Sequence, residues 1–207
     1  QLEKLVSGCE SLLDVGWGES SPIKFFSKKI YSVGVDIFLP SIVNSKKGDI
    51  HSEYYKMNAL EIGKKFEENS FDCVLASDFL EHLNKKDGLK LINMMEKIAK
   101  KKIIILTPNG FLPQEEKNNN PWQEHKSGWN IKEMNDLGFQ VIGMSGLKYL
   151  KWKTANIKFK PVKLWNIVSD ITQIFIKKNP SYAFHLLCIK EKSKVWLSNI
   201  FLLLEFI

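Results

Sequence analysis

Cysteine is scarce in this 207-residue chain: Cys9, Cys73 and Cys188 are its three, and they lie far apart. An odd, dispersed set with no CxxC pair and no Cys/His cluster excludes a disulfide framework and a zinc finger, and a reducing, cytoplasmic setting is expected. No apolar run reaches the length needed to span a bilayer. The first residues lack the basic-then-apolar order of a signal peptide, and Gln1 in place of methionine is expected of a trimmed chain. Arginine is missing altogether, so lysine carries the net charge of +7. Such a balance favours phosphates, anionic lipid or an acidic substrate, although uniform lysine enrichment alone says little. Internal repeats are absent too, and low complexity is confined to the polar loop "EEKNNNP".

What remains is the composition of an ordinary globular protein, 44% hydrophobic and 26% charged, long enough for one large domain over residues 1–207. Apolar runs suited to strands alternate with helical or polar stretches. "SLLDV", "YSVGVDI", "EYYKMN", "FDCVLASD", "KKIIILTPNG", "QVIGMSG" and "SYAFHLLCIKEK" read as strands. A helix is expected after the first, with Pro22 near its start. Another is expected over "KKDGLKLINMMEKIAKKK", where Leu89, Ile92, Met95 and Ile98 recur at helical spacing and lysines collect at the C-terminal end. A third, "NIKEMNDLGF", closes on Gly138. Buried strands alternating with helices imply an α/β fold, a doubly wound parallel sheet covered on both faces, although the final two strands lack a crossover helix of that kind.

"SLLDVGWGES" places Asp14 at the end of the first strand, just before Gly16 and Gly18. In doubly wound sheets ligands bind beyond the carboxyl ends of the strands, and glycine there lets a ligand approach the backbone closely. Asp36 ends the next strand and suits the two hydroxyls of a ribose. A dinucleotide site needs G-x-G-x-x-G, and the third position here is Ser21. Asp14 would also repel a pyrophosphate and attract a cation. The turn therefore points to a nucleoside carrying positive charge.

With "VGVDIF", "MNALEI", "FDCVLASDFLEHL" and "KIIILTPNG" following in order, the sequence resembles the class I S-adenosylmethionine-dependent methyltransferases, closest to their small-molecule group. The resemblance implies a Rossmann-like sheet of seven strands, mostly parallel with the last strand antiparallel, and S-adenosylmethionine as cofactor. By it, Asp14 and the backbone of Gly16, Trp17 and Gly18 would hold the methionine end, with Asp36 and Ile37 at the ribose. Asn58 and Ala59 would meet the adenine, the asparagine through its side-chain oxygen, and Ser77, Asp78 and Phe79 would line the cofactor. The sequence departs from the family pattern at Trp17, Ser20 and Asn58. Trp17, where related proteins carry a smaller residue, must lean against the neighbouring helix or crowd the methionine pocket.

Methyl transfer from a sulfonium draws most of its acceleration from alignment, so no catalytic residue need stand out. "TPNG" is not the pattern of nucleobase amine methylation, and no Pro-Cys suits covalent attack on a pyrimidine. An oxygen nucleophile is the default, with nitrogen and carbon open. His125, in the loop "NNNPWQEHKSGWN", is the candidate base; His82 reads as capping or packing, and Glu81 as a partner of the following helix. No carboxylate/His cluster in the sequence suggests a metal.

Residues 148–179 form an insertion with eight lysines against Asp170 alone, interleaved with Trp152, Phe159, Trp165 and Phe175. Leu164, Ile167, Val168, Ile171, Ile174 and Phe175 recur at helical spacing, so an amphipathic helix packed by this stripe, with solvated lysines opposite, is expected. Contact with an anionic membrane surface is the functional counterpart. The apolar tail "VWLSNIFLLLEFI" would dock on the domain, join a homodimer or touch lipid. A small or lipid-linked acceptor fits both features. The rivals are an RNA or protein methyltransferase, although no nucleic-acid module is recognisable, and a non-catalytic domain of the same fold.

Overall fold

The computed structural model describes residues 2–18, 21–26, 29–116, 120–152 and 155–192; Ser20 and the apolar tail 195–207 lie outside the described residues. The strands β1 (Ser11–Val15), β2 (Tyr31–Asp36), β3 (Glu53–Lys56), β4 (Phe71–Ser77), β5 (Ala99–Pro108), β6 (Gln140–Leu147) and β7 (Ala183–Glu191) form one sheet. Their spatial order is β3-β2-β1-β4-β5-β7-β6. β1 to β5 pair in parallel, whereas β7 runs antiparallel between β5 and β6. The strand order reverses between β1 and β4, so the carboxyl ends of these two open the crevice where a doubly wound sheet binds its ligand.

The helices are α1 (Leu2–Leu5), α2 (Leu39–Lys47), α3 (Ile62–Lys65), α4 (Lys85–Ile98), α5 (Ile131–Asp136) and α6 (Val162–Lys178). The central strands are buried on both faces. Leu13, Val74, Ile103 and Ile105 face one core with Leu91, Met95 and Ile98 of α4, while Leu12, Cys73, Leu75 and Ile104 face a second, smaller one. Each such side chain, taken from water, contributes about 1.5–3 kcal/mol.

Three local expectations change. Between β1 and β2 the described residues form a 3-10 turn, Pro22–Phe25, in place of the expected helix, capped by the Ser21 hydroxyl, which accepts the Ile23 amide at 3.2 Å. α4 stops at Ile98, not within the lysines, because Ala99 already pairs with Phe71 across the sheet. The extended backbone then sends Lys101 to Asp72 at 2.9 Å and Lys102 to Glu191 at 3.0 Å. The buried face of α4 is completed by Gly88 and Leu91, while Leu89 points out at 47% exposure. Gly88 sits one helical step from Leu89, and the space before it holds the indole of Trp129.

α6 overturns its expected packing. Leu164, Ile167, Ile171, Ile174 and Phe175 are exposed, and the buried residues are Ser169 and Ile176. Close approach to β6 explains the inversion. A Cβ on Gly143 would collide with the Ile176 carbonyl, and one on Gly146 with the Ser169 hydroxyl. Gln173 bridges the same stretch, donating to Gly143 O at 2.9 Å and accepting the Gly146 amide at 3.2 Å. Small and polar groups therefore dock the helix, and its apolar stripe is left outside.

Candidate active site

A cavity of about 490 Å³ opens at the carboxyl ends of β1, β2 and β4, within the range of small-molecule sites. Gly16, Trp17 and Gly18 form one wall, with Asp36 and Ile37 beside them. Asn58 and Ala59 close one end, and Ser77, Asp78 and Phe79 stand across from the glycine loop. The sequence-predicted residues thus converge, with two exceptions: Asp14 lies beneath the floor, and His125 stands behind His82, which lines the wall in its place.

Gly16 and Gly18 have φ of 68° and 58°, the left-handed region that glycine enters without strain. A Cβ on Gly16 would strike the Phe79 ring, whereas one on Gly18 would meet nothing within 4 Å. The Gly18 backbone therefore borders open space. Its amide donates to Asp36 Oδ2 at 3.0 Å, and the Phe38 amide donates to Oδ1 at 2.8 Å. Each carboxylate oxygen keeps a further lone pair for a ligand hydroxyl. Burial raises this carboxyl above its usual range.

Beneath the loop, Asp14 is fully buried. Oδ2 accepts the Ser21 hydroxyl at 2.5 Å and lies 3.7 Å from His51 Nε2, while Oδ1 has no hydrogen-bond partner. Burial pushes the Asp14 carboxyl up to about 7 and the His51 imidazole down to about 4, so each is driven toward neutrality. An orphaned carboxylate oxygen next to the glycine loop is a site for a cation.

Trp17 neither crowds the cavity nor leans on a helix. Its indole tucks under β2, 4% exposed, against His51 at 4.9 Å and Tyr54 at 6.0 Å between ring centroids. Gly34 makes the room, since a Cβ there would stand 2.6 Å from both the indole and the imidazole.

Asn58 acts first as a cap. Its side-chain oxygen accepts the Leu60 amide at 2.9 Å, so the oxygen expected at the adenine is already engaged and the amide NH₂ is the donor that remains. Asp78 holds a positive φ of 49°, and desolvation in the concave wall raises its carboxyl to about 6.

Glu81 does not serve the next helix, which Asn84 caps by accepting the Asp87 amide. The Glu81 carboxyl is buried, accepts the Thr107 hydroxyl at 3.0 Å, and is raised to about 8 by burial and then by the charge of Asp78. The loop after β5 folds back onto it. Trp129 anchors that loop in the core at 1% exposure, with its indole N–H donating to the Ser127 hydroxyl at 3.1 Å.

Glu81, His82 and His125 thereby come together, with one ligand atom from each inside 4.8 Å, which corrects the expectation that no carboxylate/His cluster exists. Glu81 and His82 are adjacent, but His125 is remote in sequence, and only the folded-back loop brings it to them. His185 of β7 was likewise not foreseen: its Nε2 lies 3.5 Å from Asp78 Oδ1 and Nδ1 2.9 Å from the Ser145 hydroxyl. Its sole trace in the sequence is a polar residue interrupting an apolar strand.

The donor set fits S-adenosylmethionine: a carboxylate for ribose hydroxyls, an orphaned buried oxygen for the methionine ammonium, and glycines that leave the approach open. Residues 13–107 match the family described as a methyltransferase domain. An S-adenosylmethionine-dependent methyltransferase from Archaeoglobus fulgidus is similar over 92% of this chain and 91% of its own, at 23% identity and a TM-score of 0.60. The plantazolicin methyltransferase, solved with SAH, aligns at 16% identity and a TM-score of 0.57, covering 90% of this chain and 78% of its own. Magnesium protoporphyrin IX methyltransferase from Synechocystis, solved with bound SAM, aligns at 13% identity and a TM-score of 0.51, over 88% of this chain and 69% of its own. No curated protein matches the chain. These likenesses carry the fold, and over residues 13–107 the chain is similar to the methyltransferase-domain family.

Proposed function

We propose that this chain is an S-adenosylmethionine-dependent methyltransferase that acts on a hydroxyl of a small or lipid-linked acceptor held at an anionic membrane surface. The observation that carries this reading is the outward face of α6, where Leu164, Ile167, Ile171, Ile174 and Phe175 stand in the open, Ile174 at 80% exposure. Lys163 lies near one end of the helix and Lys177 and Lys178 at the other. Seated in an interface, each apolar side chain contributes on the order of 1 kcal/mol or more, and each lysine near anionic headgroups about 1 kcal/mol. No helix among the described residues is long and apolar enough to cross a membrane, so lying on the surface is the mode that suits α6. The start of β7, where the chain returns from α6, reaches the cavity edge, since His185 pairs with Pro108 and stands beside Asp78.

In the cavity, Asp36 would hold the ribose hydroxyls, and the Gly16–Gly18 backbone, with Asp14 beneath it, would hold the methionine end. Asn58 and Ala59 close over the base. Bound there, S-adenosylmethionine supplies a methyl carbon already activated by a positively charged sulfur. His82 lines the cavity with His125 behind it, ring centroids 4.8 Å apart, and assists loss of the acceptor's proton. Help of this kind is worth roughly 10² to 10⁴ in rate.

Co-sedimentation with phosphatidylglycerol vesicles tests the surface reading. The wild-type chain is expected to pellet and an Ile171→Glu/Ile174→Glu variant to remain in solution; equal pelleting of the two overturns it. Labelled methyl from S-adenosylmethionine should enter the extractable lipid or small-molecule fraction of a cell extract. Label confined to RNA or protein overturns the acceptor class.

A further inference from the structure

The cluster of Glu81, His82 and His125 has the marks of a prepared donor set. Both imidazoles place Nδ1 on a main-chain carbonyl, His82 on Glu124 O at 3.1 Å and His125 on Leu112 O at 2.6 Å. A carbonyl at Nδ1 fixes the orientation of each ring, the kind of supporting contact that metal-binding histidines carry. The carboxylate is prepared in the same way, oriented by the Thr107 hydroxyl at 3.0 Å. Backbone bonds fix the two elements to each other, because the amides of Lys126 and Ser127 donate to Glu81 O at 2.8 and 3.1 Å. The residues immediately after His125 are thus stitched to the residue carrying the carboxylate.

Glu81 is 2% exposed, and among the described residues no lysine pairs with its carboxylate. A buried carboxyl held in its ionised form needs a compensating partner, and a bound cation would supply one. His82 reaches the cavity wall, so an ion held by the three would border the space reserved for the acceptor.

We propose that Glu81, His82 and His125 bind a divalent first-row transition cation at the acceptor side of the cavity, where it polarises the acceptor hydroxyl. Two imidazoles and one carboxylate form a mixed nitrogen and oxygen set that suits zinc, cobalt, manganese or iron and leaves coordination positions open. The polarising role rests on the hydroxyl reading given above; cation binding does not. An oxygen on such an ion has its pKa lowered by several units. The proton leaves to solvent, and the oxygen lone pair forms the bond to the methyl carbon as the carbon–sulfur pair returns to sulfur.

The test uses the full chain, stripped with chelator, desalted and titrated with Co²⁺ under calorimetric and visible-absorbance readout. One equivalent should bind with ligand-field bands of an imidazole-containing site, and His125→Ala should weaken it at least tenfold. Glu81→Gln risks misfolding because the side chain is buried, so His125→Ala carries the test, with unchanged thermal melting and unchanged S-adenosylmethionine affinity as controls. Absence of Co²⁺ binding, or equal affinity in wild type and His125→Ala, overturns the site. Binding of Co²⁺ by a chain that methylates only nitrogen or carbon supports the site and overturns the hydroxyl role. Methylation of a hydroxyl at full rate after chelation overturns the polarising role and leaves the oxygen acceptor standing.

Discussion

The carboxylate of Asp36 receives the Gly18 amide at 3.0 Å, so the end of β2 and the glycine loop are held by one side chain. The same group is the one proposed to hold the ribose, where its charge would strengthen both contacts. Asp36→Asn is expected to lower S-adenosylmethionine affinity roughly 10- to 100-fold, the loss of one or two charge-assisted hydrogen bonds. Calorimetric titration measures it, and unchanged affinity would remove the ribose assignment.

Asp14 gives stability a pH dependence of definite sign. Its native carboxyl keeps a proton up to about pH 7, whereas its ordinary value is 3.8. The native state therefore binds the extra proton across that window, and stability falls as pH rises through it, by at most about 1.4 kcal/mol per unit. His51 opposes this, since a native imidazole lowered to about 4 costs stability as pH falls below its usual 6.5. Asp14→Asn should abolish the falling limb in denaturant melts between pH 4 and 7. Saturating S-adenosylmethionine should reverse it, because the ammonium favours the ionised carboxylate.

Trp129 secures the loop that carries His125. Trp129→Ala should cost about 3–5 kcal/mol in urea unfolding, the usual range for deleting a buried aromatic side chain. A cost under 1 kcal/mol would show that the loop is held by its other contacts.

Gly143 marks the seat of α6 on β6. Gly143→Val drives a side chain into the Ile176 carbonyl, and an overpacked contact of this kind costs typically 1–3 kcal/mol. Limited proteolysis should then cut within 155–178 faster than in wild type, while S-adenosylmethionine affinity stays unchanged.

The sheet and the glycine loop were legible because strand burial and loop chemistry are written in adjacent residues. "LLDVGWG" and "VGVD" each carry their own reason for being where they are. The direction in which α6 faces was not legible. Period 3.6 marks a stripe, but whether it turns inward depends on Gly143 and Gly146 of a different element. Trp17 was misjudged for a similar cause, since its pocket is made by Gly34, His51 and Tyr54. The Glu81, His82 and His125 cluster is a meeting through space, created when the loop anchored by Trp129 folds back. No local spacing announces such a meeting.

The place of β7 has a consequence for the order of assembly. In the described sheet β6 has one neighbour, β7, which itself must slot against β5. As the chain leaves the ribosome, β1 to β5 have their partners in hand. β6 and α6 appear next, with no native strand yet available to receive them. Their attachment waits on residues 183–191, whose pairing with 99–108 spans a long stretch of sequence. Such distant contacts are slow to close. The exposed stripe of α6 is therefore present on a half-finished domain before the sheet beneath it is complete, a window in which a chaperone or a lipid surface would meet it first.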